Sequence, residues 1–259
     1  MQINGRVIGR QYAPYIIAEL SCNHSGSIEK AKDLIDAAAA AGADAVKLQT
    51  YEPSDLTNDP ALTELYKKAK TPREWHAELF DHASKEGITI FSSAFSHEAL
   101  KFLEELATPA HKVASMEIGR RDLVEAMLAT GKPVLISTGM ASVFELNRYK
   151  RNNVAFLHCV SHYPARIEDS NLRAIPRLMA LTGCEVGLSD HTPGYETAIA
   201  ATALGATIIE KHLKLDDDCI DAAYSLDPQA FAAMCIAVRA IHAGLGSGDI
   251  MPTCEPRKR

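Results

Sequence analysis

A chain of 259 residues is long enough to bury a full core and suits one large α/β domain or two small ones. Its composition is that of an ordinary globular protein, 47% hydrophobic and 23% charged, and a formal charge of −6 argues against a general nucleic-acid or membrane-surface binder. The opening "MQINGRVIGRQYAPYIIAEL" lacks the basic stretch and long apolar core of a signal peptide, and no apolar run reaches transmembrane length.

Residues 1–14 contain "QINGRVIG", which predicts a small hairpin turning at Asn4-Gly5 and plugging the floor of whatever follows. Short β-branched runs then alternate with amphipathic helical stretches. In chain order, "YIIAEL" leads to helical "SIEKAKDLIDAAAAAG", "DAVKLQT" to "TPREWHAELFDHASKEG", "ITIFSS" to "HEALKFLEEL" and "HKVAS" to "RRDLVEAMLATG". The strand-like runs "PVLIST", "VAFLHC" and "EVGLS" follow, and helical "ETAIAATALG" precedes "TIIEKHL". Several helical stretches end in Gly just before the next strand, as in "AGAD" and "ATGKP", the pattern of helix C-caps. Eight strands separated by helices predict a single (β/α)8 TIM barrel over 15–246, with a loosely ordered tail over 247–259. The competing doubly wound sheet is disfavoured because no G-x-G-x-x-G turn follows the first strand. The six cysteines are scattered without a C-x-x-C pair, which reads as reduced thiols in the cytosol.

In this fold the active site lies at the C-terminal ends of the strands. Those ends carry Glu19 and Asn23, Lys47 and Gln49, Ser92 and Ser93, and Lys112, Ser115 and Glu117. They continue with Ser137 and Thr138, His158 and Tyr163, Ser189, Asp190 and His191, and Glu210, Lys211 and His212. A buried polar group costs free energy unless it is paired, so polarity at all eight strand ends marks a site rather than eight accidents. Lysines with several hydroxyls form a cradle for phosphate and carboxylate, and two histidines on adjacent strand ends suit a divalent metal. Glu19 and Glu117 serve as a third ligand or as proton-transfer groups. The inventory predicts carbon–carbon bond chemistry on a phosphorylated enol or carbonyl. The rival is a lysine-imine aldolase, for which Lys47, Lys112 and Lys211 are all placed, although such an enzyme has no use for paired metal ligands. Glu117 has the alternative of neutralising Lys112. His24, His158 and His162 have no assigned role, and Asp216, Asp217 and Asp218 read as a solvated acidic run.

The stretches "IIAELSCNHSGS", "AGADAVKLQTY", "FSSAF", "KVASMEIG", "KPVLISTGMAS", "VGLSDHTPG" and "GATIIEKHLKLD" resemble the sialic acid synthase family in order and over nearly the whole chain. "TYEPSDLT", "ELYKKAKTPREWH", "SHYPARIEDSNL" and "DAAYSLDPQAF" are most similar to its pseudaminic acid synthase branch. The resemblance implies condensation of phosphoenolpyruvate with an N-acylated sugar aldehyde. It implies His191 and His212 as ligands of Mn2+, Mg2+ or Co2+, with Glu19 beside the metal assisting proton transfer. Lys47, Lys112, Ser115, Ser137 and Ser189 would hold phosphoenolpyruvate, with Ser93 where relatives often carry Thr. Gln49 and Glu117 would lie near the reacting carbons, and Tyr163 and Asp221 would face the sugar. Family members also carry a C-terminal antifreeze-like domain that reaches the partner subunit's site, whereas this sequence stops at "PTCEPRKR". The resemblance therefore leaves a homodimer open, and also a catalytic subunit that needs a separately encoded antifreeze-like protein. Two segments, the one after "SDLT" and "EKHLKLDDDCIDAAYSL", are shorter than in relatives, and Ala94 stands where they have Pro.

Overall fold

The computed structural model describes residues 1–246 and Gly248; the rest of the expected tail lies outside the described residues. The hairpin forms as expected, with β1 (Gln2–Ile3) antiparallel to β2 (Arg6–Val7). Asn4 and Gly5 both take positive φ, 44° and 83°, as a two-residue turn matched to strand twist requires.

Eight parallel strands follow: β3 (Tyr15–Glu19), β4 (Ala45–Thr50), β5 (Thr89–Ala94), β6 (His111–Val113), β7 (Val134–Ser137), β8 (Val154–Cys159), β9 (Glu185–Asp190) and β10 (Ile208–His212). They close into a barrel in the order β10-β3-β4-β5-β6-β7-β8-β9, so the TIM-barrel expectation holds. Helices join the strands on the outside. The first, Ile28–Ala41, starts on a Ser27 side-chain cap and ends on Gly42 at φ 87°. The "ATGKP" stop differs in detail: the helix Arg121–Ala129 is capped by Thr130, and Gly131 takes the positive φ one residue later.

Two cores follow from the period-2 alternation of the strands. Outward positions such as Ile16, Val46, Ile136, Phe156, Val186 and Ile209 pack against the helices in the larger core. Inward positions at the lower end, including Tyr15, Ile17, Phe91, Leu135, Leu157 and Ile208, form a second cluster. Ile3 and Ile8 from the hairpin region complete that cluster, which is the floor plug the sequence predicts. Gly187 belongs to the same tight layer: a Cβ there would meet the Ile208 carbonyl and, at 2.7 Å, both Ile208 Cβ and Leu157 Cδ2.

The last helix, Pro228–Leu245, has 18 residues and a mean hydropathy of 1.2, enough by length and composition to cross a membrane. Its Phe231, Met234, Cys235 and Val238 form one buried stripe at helical spacing, and the helix packs on Ile28–Ala41 and Glu196–Ala203. That stripe is used by the barrel, while Ile236, Ile241 and Leu245 of the same helix are exposed.

Candidate active site

The alternation that builds the floor also builds the site. Two residues beyond the inward floor positions Ile17, Ala45, Phe91, Leu135, Gly187 and Ile208 come Glu19, Lys47, Ser93, Ser137, Ser189 and Glu210. The strand register sets these side by side: Glu19 beside Lys47, Gln49 beside Ser93, Ser93 beside Lys112, Ser189 beside Glu210, and His212 beside Glu19. The result is a polar ring, almost entirely buried, at the C-terminal mouth of the barrel.

Within the ring, two cations and two carboxylates face one another. Lys47 pairs with Glu19 and donates to Ser93 Oγ at 3.2 Å. Lys112 donates to Ser137 Oγ at 2.7 Å. Glu210 lies 3.8 Å from Lys47 and 3.7 Å from Lys112, and its Oε1 accepts from Ser189 Oγ at 2.8 Å, leaving Oε2 without a hydrogen bond. Burial pushes the Glu19 carboxyl above the usual range despite the opposing pull of Lys47. Burial acts on Glu210 in the same sense, yet Lys112, Lys47 and the Ser189 hydroxyl outweigh it and hold the group at about 2. Burial lowers Lys112, whereas at Lys47 the effect of burial is overcome by Glu19 and Glu210, which raise it.

His191 and His212 stand beside this ring with ring centroids 5.6 Å apart. His191 Nδ1 is bonded to the Val160 carbonyl at 2.8 Å, which makes Nδ1 the protonated nitrogen and leaves the Nε2 lone pair free. Burial, reinforced by the neighbouring His212, lowers His191 to about 4, so the ring is neutral at physiological pH. His212 Nδ1 lies 3.1 Å from Asp221 Oδ2, a contact whose angle falls short of a hydrogen bond. Burial raises the Asp221 carboxyl, but His212, Tyr224 and Ser21 together carry it below the ordinary carboxylate range. His191 thus has Nδ1 engaged and Nε2 without a partner, while His212 has Nδ1 beside Asp221 without a hydrogen bond; two such imidazoles are a donor set a borderline divalent ion takes, with Asp221 as the carboxylate behind one of them.

A second grouping suited to a metal lies outside the barrel, where Asp36, His82 and Glu86 bring their ligand atoms within 4.8 Å of one another. There His82 Nε2 is already held by Asp36 Oδ1 at 2.5 Å, and the groups are half-buried or exposed. The buried histidine pair, with free nitrogens facing a cavity, fits a resident ion better.

A cavity of about 330 Å3 opens above the ring. Glu19, Lys47, Gln49, Ser93, Lys112, Ser115, Ser137, Ser189, His191, His212, Tyr163 and Asp221 all line it, so the structure gathers nearly every residue singled out in the sequence. Ser115 sits in a short 3-10 turn after β6, accepting from the Met140 N–H at 2.9 Å. Tyr163 is 55% exposed at the rim, its ring 4.3 Å from that of His191. Glu117 is the exception. It points away from the lining to pair with Arg120 at 3.0 Å, so it neutralises neither Lys112 nor any group in the cavity. His24 and His158 are buried in loop and outer-face positions, His162 is exposed, and none of the three lines the cavity.

Sequence reasoning left Glu210 without a role, although its place two residues before His212 on an inward strand face signals it. Tyr224, which bonds Asp221 and packs 4.8 Å from the His212 ring, had no such signal in "DAAYSL". The outer wall of Tyr51, Tyr66, Phe95, Met116, Met140 and Ile220 is largely apolar; Tyr66 comes from the short helix Pro60–Ala69 and the others from strand-to-helix connections.

Comparison with known proteins agrees with this architecture. Residues 34–250 match the model of the NeuB family. The chain is 42% identical over 260 residues to a pseudaminic acid synthase of Campylobacter jejuni, covering 91% of this chain and 76% of that one. It is 42% identical over 268 residues to the pseudaminic acid synthase of Helicobacter pylori, covering 94% and 78%. The crystal structure of an N-acetylneuraminic acid synthetase from Leptospira borgpetersenii, in complex with citrate, superimposes with a TM-score of 0.93 at 32% identity, covering 97% of this chain and 92% of that one. A closed barrel whose mouth gathers two lysines, two glutamates and two histidines, on a sequence matched this extensively, belongs to the NeuB family, near its pseudaminic acid synthase branch.

Proposed function

We propose that this chain is a metal-dependent transferase that condenses phosphoenolpyruvate with a sugar-like aldehyde, giving a 2-keto-3-deoxy acid of the nonulosonic type and phosphate. The observation that carries the reading is the buried ring in which Lys47 and Lys112, with their serine partners, face the unengaged nitrogens of His191 and His212 across one cavity. The family match and the pseudaminic acid synthases at 42% identity support an N-acylamino sugar or a close relative as acceptor.

In this reading Lys47, Lys112, Ser93, Ser115, Ser137 and Ser189 hold the phosphate and carboxylate of phosphoenolpyruvate. A divalent ion held by His191 and His212, such as Mn2+, Mg2+ or Co2+, supplies Lewis-acid polarisation of the aldehyde when bound. C3 of phosphoenolpyruvate forms the new bond to the aldehyde carbon, water adds at C2, and phosphate leaves as the C2–O bond breaks. Lys47 and Lys112 stabilise the anionic tetrahedral species at C2. Glu19, with its raised carboxyl pKa, moves protons at the same centre, and Gln49 orients the reacting carbons. Tyr163 and Asp221 contact the acceptor, while the apolar outer wall suits its acyl and deoxy positions. Glu117 is paired with Arg120 outside the cavity lining and is assigned no part at the reacting carbons. The five described cysteines are free thiols, which supports a reducing compartment such as the cytosol.

The lowered pKa of Lys112 favours one second reading, a lysine-imine aldolase. Phosphate release from phosphoenolpyruvate with Mn2+ and a panel of aldehydes, from N-acyl hexosamines to short unacylated sugars, separates the two. The condensing enzyme releases phosphate, is stopped by EDTA and gives no borohydride adduct. An EDTA-insensitive, borohydride-trapped enzyme is the aldolase. The panel is run with and without an added antifreeze-like domain protein, and with the oligomeric state measured in both. No release under either condition, with Mn2+ shown to bind, refutes the condensing reading.

A further inference from the structure

The outward face of the barrel is mostly apolar; Thr50 with Ser92, His111 and His158 are buried polar residues on it, and one pair of opposite charges stands among them. Asp190 on β9 and Lys211 on β10 are cross-strand neighbours in register, 2% and 0% exposed, beneath the helix Glu196–Ala203. Neither lines the cavity. Their positions in the chain are the point: Asp190 directly precedes His191, and Lys211 directly precedes His212.

The pair sits at the centre of a closed polar network. Lys211 Nζ donates to Asp190 Oδ2 at 3.1 Å and to the Thr192 carbonyl. Asp190 Oδ1 accepts from the Thr192 N–H at 2.9 Å and from Thr192 Oγ1 at 2.8 Å. Asp190 Oδ2 also accepts from Thr197 Oγ1 at 2.8 Å, and the two threonine hydroxyls lie 3.1 Å apart. The residues on either side of His191 are thereby fixed to each other, to β10 and to the overlying helix. A buried ion pair is not needed for stability here, since apolar residues of similar volume commonly do as well. What the pair adds is a fixed register: a slip of one residue between two strands would turn one imidazole out of the cavity.

We infer that Asp190 and Lys211 are positioning residues that clamp the ends of β9 and β10 so that His191 and His212 present their free nitrogens to one ion. The inference rests on the reading of those histidines as metal ligands. It predicts that the clamp governs metal affinity more than folding, because outer groups that orient a ligand typically change affinity about 10–100-fold when removed.

Mn2+ binding to the full chain, followed by the loss of its free-ion EPR signal, tests this without any turnover. The double variant D190N/K211M removes both charges together, so neither is left buried and unpaired. Thr197→Val is a milder change that keeps the pair and removes one hydrogen bond from Asp190. The wild type is expected to bind one Mn2+, and H212A to lose it. D190N/K211M is expected to stay folded in EDTA and bind Mn2+ about 10–100-fold more weakly, with T197V weakened to a smaller extent. With Mn2+ saturating, kcat and the KM for phosphoenolpyruvate should move far less than the KM for Mn2+. Unchanged Mn2+ affinity in folded D190N/K211M, or in T197V should the double variant not fold, overturns the clamp while leaving the metal site standing. A wild-type chain that takes up no Mn2+, or an H212A variant that binds it normally, overturns the metal reading and the clamp with it.

Discussion

His24 lies in the turn that follows β3, two residues after Cys22 of the cavity wall, and is 1% exposed. Its Nδ1 accepts the Gly26 N–H at 3.0 Å, which places the ring proton on Nε2, 3.4 Å from Thr71 Oγ1. Burial lowers its pKa from 6.5 to about 4. The unfolded chain therefore binds this proton more readily than the folded one, and acidification favours unfolding. The stabilisation is complete above pH 6.5 and is lost as the pH falls toward 4. At about 1.4 kcal/mol for each tenfold difference in proton affinity, the whole effect is about 3 kcal/mol, of which about 2 kcal/mol disappears between pH 7 and 5. Other buried histidines titrate in the same direction, so the measurement is a difference against H24N, whose amide oxygen replaces Nδ1 as acceptor and does not titrate. The single tryptophan, Trp75, meets the His24 ring edge-on at 5.4 Å, so its fluorescence follows urea unfolding at the relevant place. In EDTA, the wild type should lose about 2 kcal/mol more than H24N on going from pH 7 to 5. Equal losses in the two proteins would refute the assignment of a neutral, buried His24.

Three further outcomes follow from the site. Gly187→Ala would drive a Cβ into the Ile208 backbone and Leu157, and should cost about 1–3 kcal/mol or more in urea unfolding, with weaker Mn2+ binding because β9 and β10 must part. Lys112→Met leaves the Ser137 hydroxyl unpartnered and takes from Glu210 one of its two cations; it should raise the KM for phosphoenolpyruvate about 100-fold and lower stability by about 3 kcal/mol. Asp221→Asn removes the charge behind His212 and should weaken Mn2+ about 10-fold, measured by EPR, and also lower the unfolding midpoint, because the buried carboxylate is held below its ordinary range by its neighbours.

The barrel and the inner half of its site were legible because both depend on strand alternation. Once "TIIEKHL" is a strand with Ile208 on the floor, Glu210 and His212 must face the same way, and Lys211 must face the helices. The same rule sets apart Lys211 and Asp190, which the sequence grouped with the cavity residues, and Ser92, which bonds Thr50 at 2.7 Å on the outer face. Glu117 was misplaced for a different reason: "HKVAS" stops as a strand at Val113, and the 3-10 turn Ser115–Glu117 breaks the alternation. The outer wall of the cavity comes largely from the segments between strands and helices, where strand alternation does not fix direction, so Tyr224 and Ile220 became visible only in three dimensions. Asp221 is the instructive case. Its loop reaches His212, and Asn23, in the turn after β3, ties that loop down by donating to Leu213 O at 2.8 Å and Ser225 Oγ at 3.0 Å.

The charge balance of the ring explains how such a site is tolerated and how it opens. Two lysines buried alone would be costly, and Glu19 and Glu210 neutralise them in the free protein. The two carboxylates do so differently. Glu19 is in contact with Lys47 and is also fixed by the Ser21 N–H at 2.8 Å, whereas Glu210 holds both lysines only at 3.7–3.8 Å and keeps one oxygen without a hydrogen bond. An anion entering between Lys47 and Lys112 would thus compete with Glu210, which meets both lysines at the longer distance, and Glu210 could shift toward its Ser189 partner without losing its one firm hydrogen bond. In the proposed reading, Glu210 is the counter-ion that phosphoenolpyruvate displaces from the lysines. Glu210→Gln should therefore bind phosphoenolpyruvate more tightly while unfolding more easily, and a variant that does neither would show that the lysines are balanced by other means.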